Sequence, residues 1–286
     1  MIPHHTDAWL AVAALFVAGA LYTRGWWRFA QRTPSRFGAG RLAAFLGGLA
    51  VIAVALASPL DELADRRLSA HMVQHQLLMM VAPPLLWLGG PVAPMLLGLP
   101  RWMCRSVVAV FASRSVRAIT HIIAQPAFGW VSFALAFWVW HAAPLYELAL
   151  RSDAWHHVEH ACFFATAMLF WWPVILPWPA RSPWPRWTMI PYLLLADLQN
   201  TILAAILTLS DRLVYPTYAI AAGSNLSALD DQSIAGLIMW VPGSLVFLVA
   251  AVWVALEALG GGRAVSGMAA AEAAVSTIQR AGRSGA

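Results

Sequence analysis

The histidines of this chain are the residues whose type and spacing could do chemistry. Nine occur among 286 residues, and two pairs repeat one spacing: His71 with His75, and His156 with His160. Four residues is slightly more than one helical turn, so the two imidazoles of a pair lie on one helix face. Imidazole binds Cu, Zn, Fe and Ni, so two pairs can supply four ligands to one or two ions. A single histidine near a membrane surface is more often only a hydrogen-bonding residue, and the prediction depends on the pairs acting together.

Further ligands are predicted close to these pairs. His141 ends the string Trp138-Val139-Trp140-His141, and Met79 lies four residues after His75. Thioether ligands favour Cu(I), although methionine is also a common gap filler in helix packing. Asp231 could be an oxygen ligand or could hold an imidazole in one tautomer, while Asp230 or Asp231 caps the last helix. We expect no catalytic residues, and the predicted metal ligands are His71, His75, His141, His156, His160, Asp231 and Met79.

The composition identifies the elements that must position these residues as membrane helices. The chain is 60% hydrophobic and 11% charged, with a mean hydropathy of +0.67, whereas soluble domains have about 25% charged residues. Sixteen tryptophans, many near the ends of apolar runs, are typical of the membrane interface. The net charge of +5 could suggest nucleic acid as a partner, but the placement of the arginines indicates membrane topology instead. Cys104 and Cys162 lie far apart and indicate neither a disulfide framework nor a thiolate site.

Seven apolar stretches are long enough to cross a bilayer of about 30 Å as helices. They predict an all-α, polytopic bundle within residues 1–259, with the bilayer as its solvent, and residues 260–286 as a mobile cytoplasmic tail. Residues 91–110 are apolar but broken by prolines and Gly98, so we expect them to lie at the interface or to re-enter, and eight spans remain possible. The seven predicted spans are 8–27, 41–58, 70–89, 126–143, 156–176, 187–209 and 234–256.

The arginines orient this bundle. Fourteen of the 18 basic residues, all arginine, fall on the first, third and fifth connections and the C-terminal tail, while most acids fall on the alternate connections. By the positive-inside rule the N-terminus is outside and the C-terminus cytoplasmic. The histidine pairs and His141 then lie at the outer ends of three spans. Asp197 lies near the middle of the sixth span, where either an interhelical hydrogen bond or a share in metal or proton handling would account for it.

Several segments resemble one known family. They are His71-Met72-Val73-Gln74-His75 with the following Ala82-Pro83-Pro84-Leu85-Leu86, Trp140-His141 before Pro144-Leu145-Tyr146, the run 156–160, and Asp230-Asp231-Gln232 before Met239-Trp240. In this ordered set the chain resembles the CtaG type of membrane cytochrome c oxidase assembly factors. The resemblance implies a bacterial plasma-membrane protein that is needed to build an aa3 or caa3 type oxidase, through supply of copper to a catalytic subunit. The ligand set itself comes from spacing and sidedness, and the identity of a periplasmic copper donor and the oligomeric state stay open.

Two other functions fit the same residues. A seven-span zinc hydrolase acting on lipid could use His71, His75, His156, His160 and Asp231 to bind an ion that activates water. A b-type cytochrome could bind haem through two histidines, one from each pair, because two ligands on one helix face cannot take opposite axial positions. The identity of the metal and an absorption spectrum distinguish these functions.

Overall fold

The computed structural model describes the backbone of residues 5–31, 38–177, 180, 182–219 and 226–284, and the side chains of residues 9–260 within those ranges. Every regular element in these ranges is helical, so the all-α prediction is confirmed. A π-helical turn, Leu77–Val81, joins α4 to α5, and short 3-10 helices lie at Arg186–Thr188 and Pro216–Ala219. The α-helices are α1 (His5–Ala30), α2 (Ala39–Ala57), α3 (Pro59–Ala64), α4 (Leu68–Gln76), α5 (Ala82–Leu88), α6 (Val92–Gly98), α7 (Arg101–Ala112), α8 (Arg114–Ile123), α9 (Pro126–His141), α10 (Ala143–Arg151), α11 (Asp153–Ile175), α12 (Met189–Leu209) and α13 (Ala228–Ser284).

These helices are those of a membrane protein. Five segments, carried by α1, α2, α11, α12 and α13, are long and apolar enough to cross a bilayer alone, and three bent helix pairs raise the number to as many as eight. The seven predicted spans lie within this range, with 70–89 falling on α4, the π-helical turn and α5, and 126–143 on α9. The number seven, the orientation and the division into a membrane domain and a mobile tail stay predictions.

The π-helical turn in the third span follows from the prolines after it. Pro83 has no N–H, so the carbonyl of Met79 has no backbone donor four residues later. One residue earlier, the N–H of Ala82 donates to the carbonyl of Leu77, five residues back, which is the hydrogen bond of a π-helix. The freed carbonyl accepts a 2.9 Å hydrogen bond from the indole of Trp171 on α11. The irregular turn therefore ties α11 to the third span one turn below His75.

Residues 91–110, which we predicted to lie at the interface or to re-enter, begin with α6, and this helix packs against α1. Gly90, with φ of 60°, marks a 71° bend between the third span and α6. The two helices touch backbone to backbone, since a Cβ on Gly25 would lie 1.8 Å from the carbonyl oxygen of Pro94 and one on Gly98 would lie 2.0 Å from that of Leu21. By contrast, α7 has no buried residue.

A second bend, of 73°, follows His141 and turns α10 away from the axis of α9. Ala142 is extended, and α10 begins at Ala143 with Pro144 in its first turn. Below the bend, α9 packs tightly on α11, because Gly129 lets the carbonyl of Leu169 approach. The bend brings Tyr146 to the ring of His141, with the ring centroids 6.2 Å apart.

Candidate metal centre

The structure brings the two predicted histidine pairs into contact. Within the pairs, the Nε2 atoms of His71 and His75 lie 2.9 Å apart and those of His156 and His160 lie 3.1 Å apart. Across the pairs, the ring centroids of His71 and His156 are 5.0 Å apart and those of His75 and His160 are 5.3 Å apart. Helix α4 and helix α11 therefore turn their histidine faces toward each other.

Glu159 belongs to this cluster, although it was not among the ligands predicted from sequence. Its side chain is 0% exposed, and neither carboxylate oxygen has a hydrogen-bond donor among the described residues. The oxygens lie 3.8 Å from Nε2 of His71 and 3.9 Å from Nε2 of His75. One ligand atom from each of His71, His156, Glu159 and His160 can be chosen so that all lie within 4.8 Å of one another. A carboxylate between two histidines at the start of a span was the signal that could have identified it.

His141 reaches the cluster from α9. Its Nδ1 donates to the carbonyl of Phe137 at 2.7 Å, which leaves the lone pair on Nε2. That Nε2 is buried and has no partner in the described part of the chain, and neither has Nδ1 of His75, whose ring lies 5.9 Å from that of His141. Buried acceptors without donors are costly, and a bound ion would satisfy them.

Tyr218 orients His71, and this residue too was missed from sequence. Its hydroxyl donates its one hydrogen to the carbonyl of Ala64 at 3.1 Å, so it accepts from Nδ1–H of His71 at 2.9 Å. This hydrogen bond places the lone pair of His71 on Nε2, which faces the cluster. A partner of this kind fixes the tautomer of a metal-binding imidazole. Tyr218 follows an irregular loop 147 residues after His71, so no local pattern connects the two.

The loop that carries Tyr218 covers the cluster and is fastened to α10. Tyr215 donates to the carbonyl of His141 at 2.9 Å, and Glu147 accepts from the backbone N–H of Thr217 at 3.1 Å and from its hydroxyl. Burial raises the pKa of Tyr215 and Tyr218 above the usual range, so both phenols stay protonated. Burial also opposes ionisation of Glu147, but hydrogen bonds from Thr217 and Arg151 outweigh it and hold the pKa of Glu147 below 4.5.

Asp231 and Met79 lie outside the group of four. Asp231 accepts hydrogen bonds from the backbone N–H and the hydroxyl of Ser69, so it caps the first turn of α4. Met79 lies in the π-helical turn and packs in the buried apolar core. In the sixth span, Oδ1 of Asp197 is buried without a partner among the described residues, while Asn200, one turn further along α12, donates to the carbonyl of Met239 on α13 at 2.9 Å.

The donor atoms fit a small metal ion. Two imidazole nitrogens bound to a tetrahedral ion at about 2.0 Å lie about 3.3 Å apart, close to the 2.9 and 3.1 Å within the pairs. Movements below about 1 Å would bring the group of four to one ion. His75 and His141 are then free to bind a second ion beside the first. Three imidazoles and a carboxylate suit copper or zinc.

Comparison with known proteins agrees with the resemblance noted in the sequence. The sequence profile of the cytochrome c oxidase caa3 assembly factors (Caa3_CtaG) matches residues 20–260. An uncharacterized protein of Mycobacterium bovis is 27% identical over 159 residues, which are 51% of this chain and 22% of that protein. One of Mycobacterium leprae is 27% identical over 177 residues, which are 57% of this chain and 25% of that protein. The chain thus spans about a quarter of the length of these relatives, and no solved structure matches it. Because the profile covers most of the chain, this protein belongs to the family of cytochrome c oxidase caa3 assembly factors.

Proposed function

We propose that this protein binds copper at the buried histidine cluster and supplies it to a catalytic subunit of a cytochrome c oxidase during assembly of that enzyme. The observation that carries the proposal is the cluster itself, where imidazoles from α4, α9 and α11 surround a carboxylate that has no hydrogen-bond donor among the described residues. The family supplies the connection to the oxidase. Copper is the cargo of this site, and the protein catalyses no reaction on it.

The donor set suits an ion that must be passed on. The group of four contains no thiolate, so it lacks the near-irreversible grip of a cysteine cluster. Both oxidation states of copper accept imidazole, and a thioether ligand would favour Cu(I). His71, His75 and His160 are buried while His156 is partly exposed, so His156 is the ligand through which copper enters and leaves.

The arginine distribution supports a position of the cluster at the periplasmic face of a bacterial plasma membrane. A copper donor in the periplasm would then reach His156 without crossing the bilayer. The recipient subunit would dock on the same face, beside the loop of Tyr215 and Tyr218.

Loss of two ligands from one face of the cluster tests the proposal. The His71→Ala/His75→Ala protein should accumulate in the membrane at near-normal levels, because packing along the spans stabilises the bundle, yet should lose copper. Elemental analysis after loading with copper under reducing conditions measures this. His157→Ala is the matched control, since His157 is exposed and, among the described residues, hydrogen-bonds to the carbonyl of Asp153 alone.

Cells carrying the double variant should assemble an oxidase of low activity, and surplus copper should partly restore that activity. The His157→Ala cells should keep normal activity. Full oxidase activity in the double variant at limiting copper would contradict the proposal.

A zinc-dependent membrane hydrolase is the second candidate, and the position of Glu159 favours it over a haem protein. A carboxylate 3.8 Å from Nε2 of His71 could act as a base toward a zinc-bound water. Zinc in the purified protein, with oxidase activity untouched in the double variant, would support this function. Haem is disfavoured, because the rings of the two pairs pack on each other, with the centroids of His71 and His156 5.0 Å apart, and leave no slot for a macrocycle between one pair and the other.

A further inference from the structure

At the opposite end of the bundle lies a pocket lined by four arginines. It has a volume of about 750 Å³ and lies between α1, α6 and α7. The third span, Leu68–Leu88, runs from the histidine cluster toward this pocket, and the 17 residues from His71 to Leu88 correspond to about 25 Å of helix. The pocket therefore faces the other leaflet. Its lining combines Arg24, Arg28, Arg101 and Arg105 with Leu96, Leu97, Leu99, Pro100 and Cys104.

The backbone contact between α1 and α6 builds this pocket. Gly25 and Gly98 let the two helices touch, and Arg24 and Arg28 flank Gly25 on α1. Arg28 donates to the carbonyl of Leu97 at 2.9 Å, which holds its guanidinium at the mouth. The positions of these charges thus depend on a contact that tolerates no side chain.

No acidic side chain of the described residues lines this pocket. No Asp or Glu occurs in residues 8–60 or 66–146, the stretches that contain every lining residue. Among the described residues, no hydrogen bond or ion pair engages the side chains of Arg24, Arg101 or Arg105. Four guanidinium groups around one pocket attract an anion, and guanidinium matches the geometry of phosphate.

The surroundings identify that anion as a lipid headgroup. The leucines in the lining give the pocket an apolar wall beside the arginines. On α7, Trp102 is 71% exposed next to Arg101, as expected for a tryptophan at the headgroup level. Basic pockets between membrane helices bind anionic headgroups. We propose that this pocket binds one anionic phospholipid of the bilayer through its phosphate, independently of copper at the other end.

Lipid titration of the purified full chain tests the proposal. The protein is delipidated in detergent and titrated with phosphatidylglycerol or phosphatidylcholine, and native mass spectrometry measures the occupancy of the first bound lipid. The wild-type chain should bind phosphatidylglycerol about tenfold more tightly than phosphatidylcholine, a preference that Arg101→Gln/Arg105→Gln should abolish. The Arg101→Lys/Arg105→Lys variant should keep most of it, which separates loss of charge from loss of fold.

Arg114→Gln/Arg117→Gln is the matched control, because these exposed arginines of α8 lie outside the pocket and their loss removes the same charge. The control should keep the preference. Equal loss in both glutamine variants, or no preference in the wild-type chain, would overturn the proposal. Displacement of phosphatidylglycerol by millimolar inorganic phosphate would also overturn it, since the pocket would then be a site for a soluble anion.

Discussion

Glu159 is the residue on which the chemistry of the cluster depends most. An ionised carboxylate at 0% exposure without hydrogen-bond donors costs far more than the protein could recover by packing, so it needs either a proton or a cation. The imidazoles beside it offer a lone pair each when neutral. A metal ion of charge +1 or +2 satisfies the carboxylate and the imidazoles together, and Glu159 is the charge that balances it.

Replacement of Glu159 therefore distinguishes a role in metal binding from a role in stabilising the fold. Glu159→Gln should lower copper affinity by about 10- to 100-fold, because the ion loses its counter-charge. The metal-free variant should be as stable to heat as the wild type or more so, since a buried group without donors has been made neutral. A competition titration with a copper chelator and thermal unfolding with and without copper measure both effects. Exposed Glu62 provides the control Glu62→Gln, and a stability loss without an affinity loss would show that Glu159 is structural.

At the scale of elements, the site depends on a helix bend and a loop as well as on the straight helices α4 and α11. The four-residue spacing was enough to place two imidazoles on one face of α4 and two on one face of α11. It carried no information about the 73° bend after His141, or about the loop whose Tyr218 holds the tautomer of His71. These features arise from long-range contacts, which a single sequence does not record.

Long-range contacts also decide the role of Asp231, which was predicted as a possible ligand. It lies inside the first turn of α13, and the prediction that Asp230 or Asp231 caps this helix was wrong, because Ser227 accepts from the N–H of Asp230. The partner of Asp231 is the first turn of α4, 162 residues away, where it accepts from Ser69. A carboxylate can cap a helix or bind an ion with the same atoms, and only the tertiary contact distinguishes the two. Glu159 was not among the predicted ligands, although its spacing of three residues from His156 places the two side chains on one helix face.

The fastening of the covering loop by Glu147 should depend on pH. Glu147→Gln should lower the free energy of unfolding at pH 7 by about 1.5 kcal/mol, the lower end of the range for hydrogen bonds to a charged group. Because the folded state lowers the pKa of Glu147, its contribution is present above the ordinary value near 4.5 and is lost as the pH falls through the lowered value. Thermal unfolding of the two proteins from pH 7 to pH 3 should show their difference shrinking below pH 4.5.

Thr217 is the partner that makes this prediction specific. Thr217→Val removes the hydroxyl that donates to Glu147 and keeps the backbone N–H. In the Glu147→Gln/Thr217→Val protein the combined effect should therefore be smaller than the sum of the two single effects. Additive effects, or a difference that persists unchanged at pH 3, would show that Glu147 does not fasten the loop.

For the whole molecule, the two ends of the bundle are chemically opposite. One end holds buried histidines, a carboxylate and tyrosines, while the other holds the arginine pocket in stretches that contain no acid. This polarity is what the positive-inside rule uses to orient a membrane protein. A lipid headgroup bound at one face would fix the depth of the bundle in the bilayer while the metal site at the other face exchanges its ion.

The orientation of the bundle is the prediction on which the copper proposal rests, and reporter fusions measure it directly. Fusions after Gly38 and Pro177 should give cytoplasmic signals, because the first and fifth connections carry arginines that resist translocation. Fusions after Ala64 and Ser152, each within a few residues of a histidine pair, should give periplasmic signals. A cytoplasmic signal after Ser152 would place His156 and His160 inside the cell, where a periplasmic copper donor could not reach them, and the delivery function would have to be abandoned even if the cluster binds copper in the purified protein.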